Sequence, residues 1–275
     1  MTAATASYIG FGIGRGRTFV IPYLELSMAG HSKWKQIKHY KAAADAKRGA
    51  LFTKLIREIT LAAKQGGGDP EGNARLRTAV ENARASSMPK ENIERAIKKG
   101  TGELEGVDYH EMTYEGYGPG GVAMMIEAVT DNATRTVADV RHRMSRGGGN
   151  IGTPNSVAWM FEKKGQILID GAGRDEDTLM EAVLDAGGED LSHEEDQYVV
   201  TTAPADFHAV RGALQEKGLP IVEAELAMVP KTTVKVEGRD AESLLKLIES
   251  LEELDDVQKV WANFDIDVEQ MARSS

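Results

Sequence analysis

Apolar residues recur at three- and four-residue spacing along Leu51, Phe52, Leu55, Ile56 and Ile59, and the run stops at the glycine cluster ending at Gly68. That period predicts an amphipathic helix. Asp69 and Pro70 suit the cap and first position of a second helix, with Leu76, Ala79, Val80 and Ala83 on its apolar side. A third helix begins near Pro89, carries Ile93, Ala96 and Ile97 inward, and closes at Gly100 behind Lys98 and Lys99. Those two lysines complement the negative end of the helix dipole. Upstream, a helix after Trp34 would put Lys38, Lys41, Asp45 and Arg48 on one face and Ile37, Tyr40 and Ala44 on another. Residues 28–100 therefore read as a small helical bundle.

Past Thr101 the signal changes to short apolar runs alternating with amphipathic helices. Gly121–Thr130 reads as a buried strand, Asn132–Arg146 as a helix and Val157–Glu162 as a second strand. Next come a strand at Gln166–Asp170, a helix at Glu176–Ala186, a hairpin of Glu189–His193 with Tyr198–Thr202, a helix at Pro204–Lys217 and a strand at Pro220–Met228. That β-α-β-β-α-β order is the split arrangement of a ferredoxin-like fold. After Pro230 another β-α-β follows, over Thr232–Val236, Ala241–Leu251 and Val257–Phe264. Joined to the first β-α-β, it makes a second such unit, interrupted by the middle one. The expected fold is α+β: a helical bundle, then two ferredoxin-like domains, one inserted in the other. The boundaries read as 28–100 for the bundle, 101–163 with 230–270 for the discontinuous domain, and 164–229 for the insert.

Charge sharpens this division. The whole chain carries a formal −10, yet residues 28–100 hold 16 Lys or Arg against 7 Asp or Glu, while residues 101–275 hold 15 against 35. A basic module on an acidic body points to a polyanionic partner for one end. Lys33, Lys35, Lys38, Lys41, Lys47 and Arg48 stand within sixteen residues opposed only by Asp45, with Trp34, His39 and Tyr40 interleaved. Cations beside aromatics are what phosphate contact and base stacking require. With Lys54 and Arg57 on the following helix, these residues form the expected nucleic-acid contact; a merely solvated helix surface is the plainer alternative. The first 27 residues, with Gly10, Gly12, Gly14 and Gly16, lack the strand and helix that would make a dinucleotide loop, and they do not read as a secretory signal. They are expected to be a disordered or mis-assigned upstream extension, with Met28 the working start.

Two loops in the body stand out. "YEGYGPGG", Tyr114–Gly121, does not read as a regular strand; it predicts a turn, or a loop offering Tyr114 and Tyr117 to a partner. "RHRMSRGGGNIGTPNS", Arg141–Ser156, is the cationic patch of the body, where Arg141, Arg143 and Arg146 precede a glycine-rich turn. It follows a helix end, so it is no P-loop, but it could lie against a phosphate backbone.

Enzymatic patterns are missing. There is no cysteine, which excludes disulfides, thiolate zinc sites and a cysteine nucleophile. The histidines show no tight metal-ligand spacing, and no GxSxG, Walker A or SxxK motif occurs. No cofactor and no catalysis are expected. The strands of the two β-α-β-β-α-β units lack the aromatics of an RNA-recognition platform, so base stacking on the sheets is not expected. No apolar run reaches the ~18 residues of a membrane span, and a cytoplasmic setting fits.

"MAGHSKWKQIKHYKAAADAKRGALFTKL", "SSMPKENIERAIKKGTG" and "YEGYGPGGVAMMIEAVTDNATRTVADVRH" closely resemble the YebC family, from Met28 to about Ile266. Its members are known as probable transcriptional regulators and are similar to the mitochondrial translational activator of cytochrome c oxidase. The resemblance implies three domains, one helical and two α/β, and makes the Tyr114–Gly121 loop a family hallmark. It also implies association with ribosomes at proline-rich stretches. This chain departs from the pattern at Asn155, where glycine is usual; asparagine tolerates positive φ, so the turn is expected to persist. Two nucleic-acid readings follow: a translation factor meeting ribosomal RNA or tRNA on the ribosome, which is favoured, or a sequence-specific DNA-binding transcriptional regulator. A regulator that binds another protein or a small ligand is the third.

Overall fold

The computed structural model describes residues 45–194 and 197–266. The first 27 residues and the basic positions from Lys33 to Lys41 lie outside them. So do the side chains of Lys47 and Arg48.

Helix α1 (Asp45–Gly66) packs Ile59, Ala62 and Ala63 against Leu76, Ala79, Val80 and Ala83 of α2 (Ala74–Ala85) and against Ile93 and Ala96 of α3 (Lys90–Thr101). Of the expected apolar stripes, that of α2 is buried throughout, while Phe52, Leu55, Ile56 and Ile97 are half-buried against the same core and Leu51 is exposed. Both helix boundaries near glycine differ from the expectation. The cap of α2 is Asn73, not Asp69: its Oδ1 accepts the Leu76 N–H at 3.1 Å while its Nδ2 donates to the carbonyls of Ala62 and Gly67. An aspartate could not have made the last two bonds, so the residue that both caps α2 and ties it to α1 takes the position. Helix α3 runs through Gly100 and ends before Gly102, whose φ is 82°. Gly100 serves a close approach instead: a Cβ there would sit 2.3 Å from the Thr60 carbonyl oxygen.

Strands β1 (His110–Tyr117) and β2 (Ala123–Thr130) form an antiparallel hairpin around a 3₁₀ turn at Pro119–Gly121. With β3 (Asn150–Ile151) and β9 (Val257–Ala262) they make a sheet of order β3-β1-β2-β9. Helices α4 (Ala133–Arg146) and α7 (Gly238–Glu252) cover one face, where Met124 and Ile126 meet Val140, Met144, Leu244 and Leu247. Tyr114–Tyr117 therefore complete a strand, against the expectation of a turn. Gly116 fits because β1 is pinched between β2 and β3; a Cβ there would lie 2.3 Å from the Asn150 carbonyl oxygen.

The second sheet holds β4 (Phe161–Asp170), β5 (Asp190–Glu194), β6 (Gln197–Thr202) and β7 (Ile221–Pro230) in the order β5-β6-β4-β7. Helices α5 (Glu176–Asp185) and α6 (Phe207–Glu216) pack on Ile167, Ile169 and Val200. This is the ferredoxin-like order. The two short strands read at Val157–Glu162 and Gln166–Asp170 are one: Ala158–Met160 is a 3₁₀ turn, and β4 runs unbroken from Phe161 along β7. The strand returning from α4 is instead the two-residue β3. Short strands β8 (Val234–Lys235) and β10 (Phe264–Asp265) pair in parallel beside the first sheet. The sheets meet through Ala123, Met125 and Trp261 on one side and Phe161 and Ala227 on the other.

Candidate nucleic-acid interface

The hairpin turn after Tyr117 and the glycine run after Arg146 come together. Gly120 and Gly121 hold φ of 72° and 76°, and Gly148 holds 81°, conformations that glycine adopts without strain. Gly149 lies so close to the end of β1 that a Cβ would stand 2.7 Å from the Tyr117 carbonyl oxygen, and Gly147 is pressed on Leu247 of α7. Between them opens a groove of about 790 Å³ lined by Gly118–Gly121, Arg143, Arg146, Gly147 and Gly148, with Asp240, Ser243, Lys246 and Ser250 of α7 opposite.

Three cations therefore line the groove together with one carboxylate, Asp240, on an otherwise acidic body. Arg146 and Lys246 are exposed; Arg143 is half-buried, with its guanidinium 4.0 Å from Glu253. Backbone amides of glycine turns beside cations and hydroxyls can take a phosphate. Ser243, Lys246 and Ser250 were not apparent as candidates from the sequence. Their three- and four-residue spacing puts them on one helix face, but only the packing of α7 beside α4 gives that face a site.

The other expected contacts fall differently. Arg141 is exposed on α4. Tyr117 is half-buried and donates its hydroxyl to the Ser156 carbonyl at 3.2 Å. Tyr114 is not presented to any partner: it is buried in the core under α4 and α7, because residues facing that side of β1 are covered by the helices. Burial, then the nearby Asp256 charge, push its phenol pKa upward.

Lys54 and Arg57 also turn inward, away from an open cationic face. The Lys54 ammonium donates to the Glu252 carbonyl, and the Arg57 guanidinium to the Asp255 carbonyl at 2.6 Å and to the Asp256 carboxylate. Asp256, itself buried, further accepts from Thr136 at 2.7 Å and from Arg135 at 2.9 Å. Burial alone would raise its pKa. The bonds from Thr136 and Arg135, with the charges of Arg57 and Arg135, outweigh that and hold the carboxyl below its ordinary range. Arg75 reaches Glu111 at 2.6 Å, so the helical bundle is fastened to the body chiefly by ion pairs.

Among the described residues no cluster of three or more His, Cys, Asp or Glu could hold a metal ion, and no helix is long and apolar enough to cross a membrane. Residues 32–103 match the TACO1/YebC protein N-terminal domain, and residues 109–264 match the TACO1/YebC second and third domain. The chain belongs to the TACO1/YebC family. Similar relatives are named probable transcriptional regulatory proteins. One from Gemmatimonas aurantiaca is 64% identical over 245 residues, covering 89% of this chain and 99% of the relative. One from Geobacter sulfurreducens is 57% identical, covering 90% and 99%. The crystal structure of a conserved hypothetical protein from Aquifex aeolicus superposes with a TM-score of 0.75 at 47% identity, over 81% of this chain and 92% of that one. Asn155, where the resemblance led glycine to be expected, adopts a φ of 66°, so the turn has a left-handed residue there.

Proposed function

We propose that this TACO1/YebC protein is a non-catalytic, cytoplasmic nucleic-acid-binding regulator of gene expression, acting as a translation factor on ribosomal RNA or tRNA. The observation that carries the reading is the groove between the two glycine-rich turns, lined by Arg143, Arg146 and Lys246 with Asp240, and with Glu253 near Arg143. It offers charge and backbone amides without a base-reading set of side chains. That suits recognition of a phosphate backbone by shape and charge. In this reading the basic block of Lys33, Trp34, Lys35, Lys38, His39, Lys41, Lys47 and Arg48 makes the first contact and the groove a second. Residues 28–100 act as the RNA-entering module, carried on a discontinuous domain (101–163 with 230–270) that hosts the insert 164–229. The acidic remainder limits indiscriminate adhesion to RNA.

The relatives' name favours a second reading, DNA-binding control of transcription. Ultraviolet crosslinking in growing cells, followed by sequencing of both RNA and DNA recovered with the protein, separates the two. Discrete ribosomal RNA or tRNA positions are the expected result. Promoter DNA with little RNA would establish the second reading, and recovery of neither nucleic acid would overturn both.

A further inference from the structure

Trp159 is 66% exposed, yet the loop that carries it is firmly held. The Glu115 carboxylate, buried on β1, accepts the backbone N–H groups of Asn155 at 2.7 Å and of Val157 and Ala158 at 2.8 Å each. Val157 and Phe161, two residues before and after Trp159 in the chain, are buried. The indole Nε1 donates to the Ser156 carbonyl at 3.1 Å, and the Tyr117 hydroxyl donates to that same oxygen at 3.2 Å. Two aromatic side chains thus converge by their polar tips on one carbonyl. One keeps its ring in solvent.

Such an arrangement has a cost if it does nothing. A tryptophan held in water forgoes the burial that its large apolar surface would gain, and a carboxylate is desolvated to hold the loop. The ring is already fixed, so little conformational entropy remains to be lost when something covers it. One cation stands beside the loop. Lys231 is exposed and its backbone N–H donates to the Met160 carbonyl at 2.8 Å, which sets it next to the loop; Lys163, exposed on β4, lies within electrostatic reach of Glu111 instead. The intervening acid, Glu162, is paired with Lys164 at 3.1 Å. Tyr117 is also the last residue of β1, and the glycine groove begins at Gly118, the next residue.

We infer that Trp159, with Tyr117 bonded to the same carbonyl, is a stacking site for an unpaired nucleobase, with Lys231 placed for an adjoining phosphate. The inference rests on the nucleic-acid-binding reading and deepens it: the ligand is a single-stranded segment, since bases inside a duplex have no free face to offer. The platform lies on a loop beside the sheet, and no sheet aromatics are required.

The test is an anisotropy titration of the full chain with a fluorescent single-stranded oligoribonucleotide and with a duplex of equal length. W159A should weaken single-strand binding about ten-fold, W159F less than about three-fold, and neither should alter duplex binding much. The salt slope should stay unchanged in W159A, because stacking releases no counterions. Circular dichroism and the unfolding midpoint verify that each variant is folded. Single-strand affinity in W159A within two-fold of the parent, or equal losses on single strand and duplex, would overturn the stacking site and leave the nucleic-acid reading standing. Unchanged oligonucleotide affinity with loss of a co-purifying protein would assign the ring to a protein contact instead. A parent chain that binds neither oligonucleotide overturns both readings.

Discussion

Arg57 of α1 and Asp256, 199 residues further along the chain, form a buried ion pair that joins the helical bundle to the body. The carboxylate takes Arg135 and Thr136 as well, so one aspartate organises the junction of α1, α4 and the turn before β9. The apolar cores of bundle and body are separate, and polar contacts bridge them. Cations that read as nucleic-acid contacts in the sequence are used here for internal docking.

Asp256 makes stability depend on pH in a definite direction. Its folded pKa lies below the ordinary value of 3.8. Its contribution is therefore present above that value and is lost as pH falls through the folded one. D256N should lower stability near neutral pH by about 3 kcal/mol, the scale for breaking a buried pair, and should flatten the loss below about pH 4. Urea unfolding across pH 2.5–7 reads both effects. Parallel pH profiles in parent and variant would contradict this role for Asp256.

Gly100 should tolerate no side chain. Alanine would normally favour a helix by about 1 kcal/mol over glycine. Here its Cβ would meet the Thr60 carbonyl oxygen at 2.3 Å, which forces α1 and α3 apart. G100A is expected to destabilise the chain by about 1–3 kcal/mol, the usual range for overpacking, in thermal unfolding. A raised melting temperature would show that the helices separate at little cost.

The helical stripes and the inserted β-α-β-β-α-β unit were legible in sequence because each is a local period repeated over a dozen residues. What failed depended on distant partners. Gly116 looks like a turn residue until Asn150 is seen against it. Gly100 looks like a helix stop until Thr60 is seen behind it. Arg57 and Lys54 look like open cations until residues 252–256 return to meet them. Trp159 drew no notice because its significance lies in Glu115 and Tyr117 holding the loop, which sequence spacing does not express. The candidate site was legible in its arginines and glycines and illegible in its α7 wall.

Glu115 should matter through geometry. Burial would raise its pKa, but three backbone N–H bonds, from Val157, Asn155 and Ala158, hold the carboxyl below its ordinary range. Glutamine keeps the shape and replaces one acceptor oxygen with a donor, leaving at least one of those N–H groups facing an amide. E115Q is expected to cost about 1–3 kcal/mol, the scale for an unsatisfied buried donor. It should also raise the mobility of Trp159, read as faster decay of its fluorescence anisotropy in a chain whose other tryptophans are replaced by phenylalanine. An unchanged decay would mean that Val157 and Phe161 hold the loop without the carboxylate.

The two cationic regions should differ in what they contribute to binding. Each phosphate contact lowers the log–log slope of affinity against salt by about 0.7 for single strands and about 0.9 for duplex DNA. Replacing Lys33, Lys35, Lys38 and Lys41 together by alanine should therefore reduce the slope by a few units. R143A with R146A should reduce it by about one, since Arg143 already faces Glu253 and is partly neutralised. Both losses should be uniform across sequences, because phosphate contacts carry no base information. Fluorescence titrations of the full chain at several salt concentrations provide the slopes. If the lysine variant kept the parent slope while the arginine variant lost several units, the groove would be the primary contact and the basic block secondary. That would reverse the order proposed for the two contacts while preserving a polyanionic ligand.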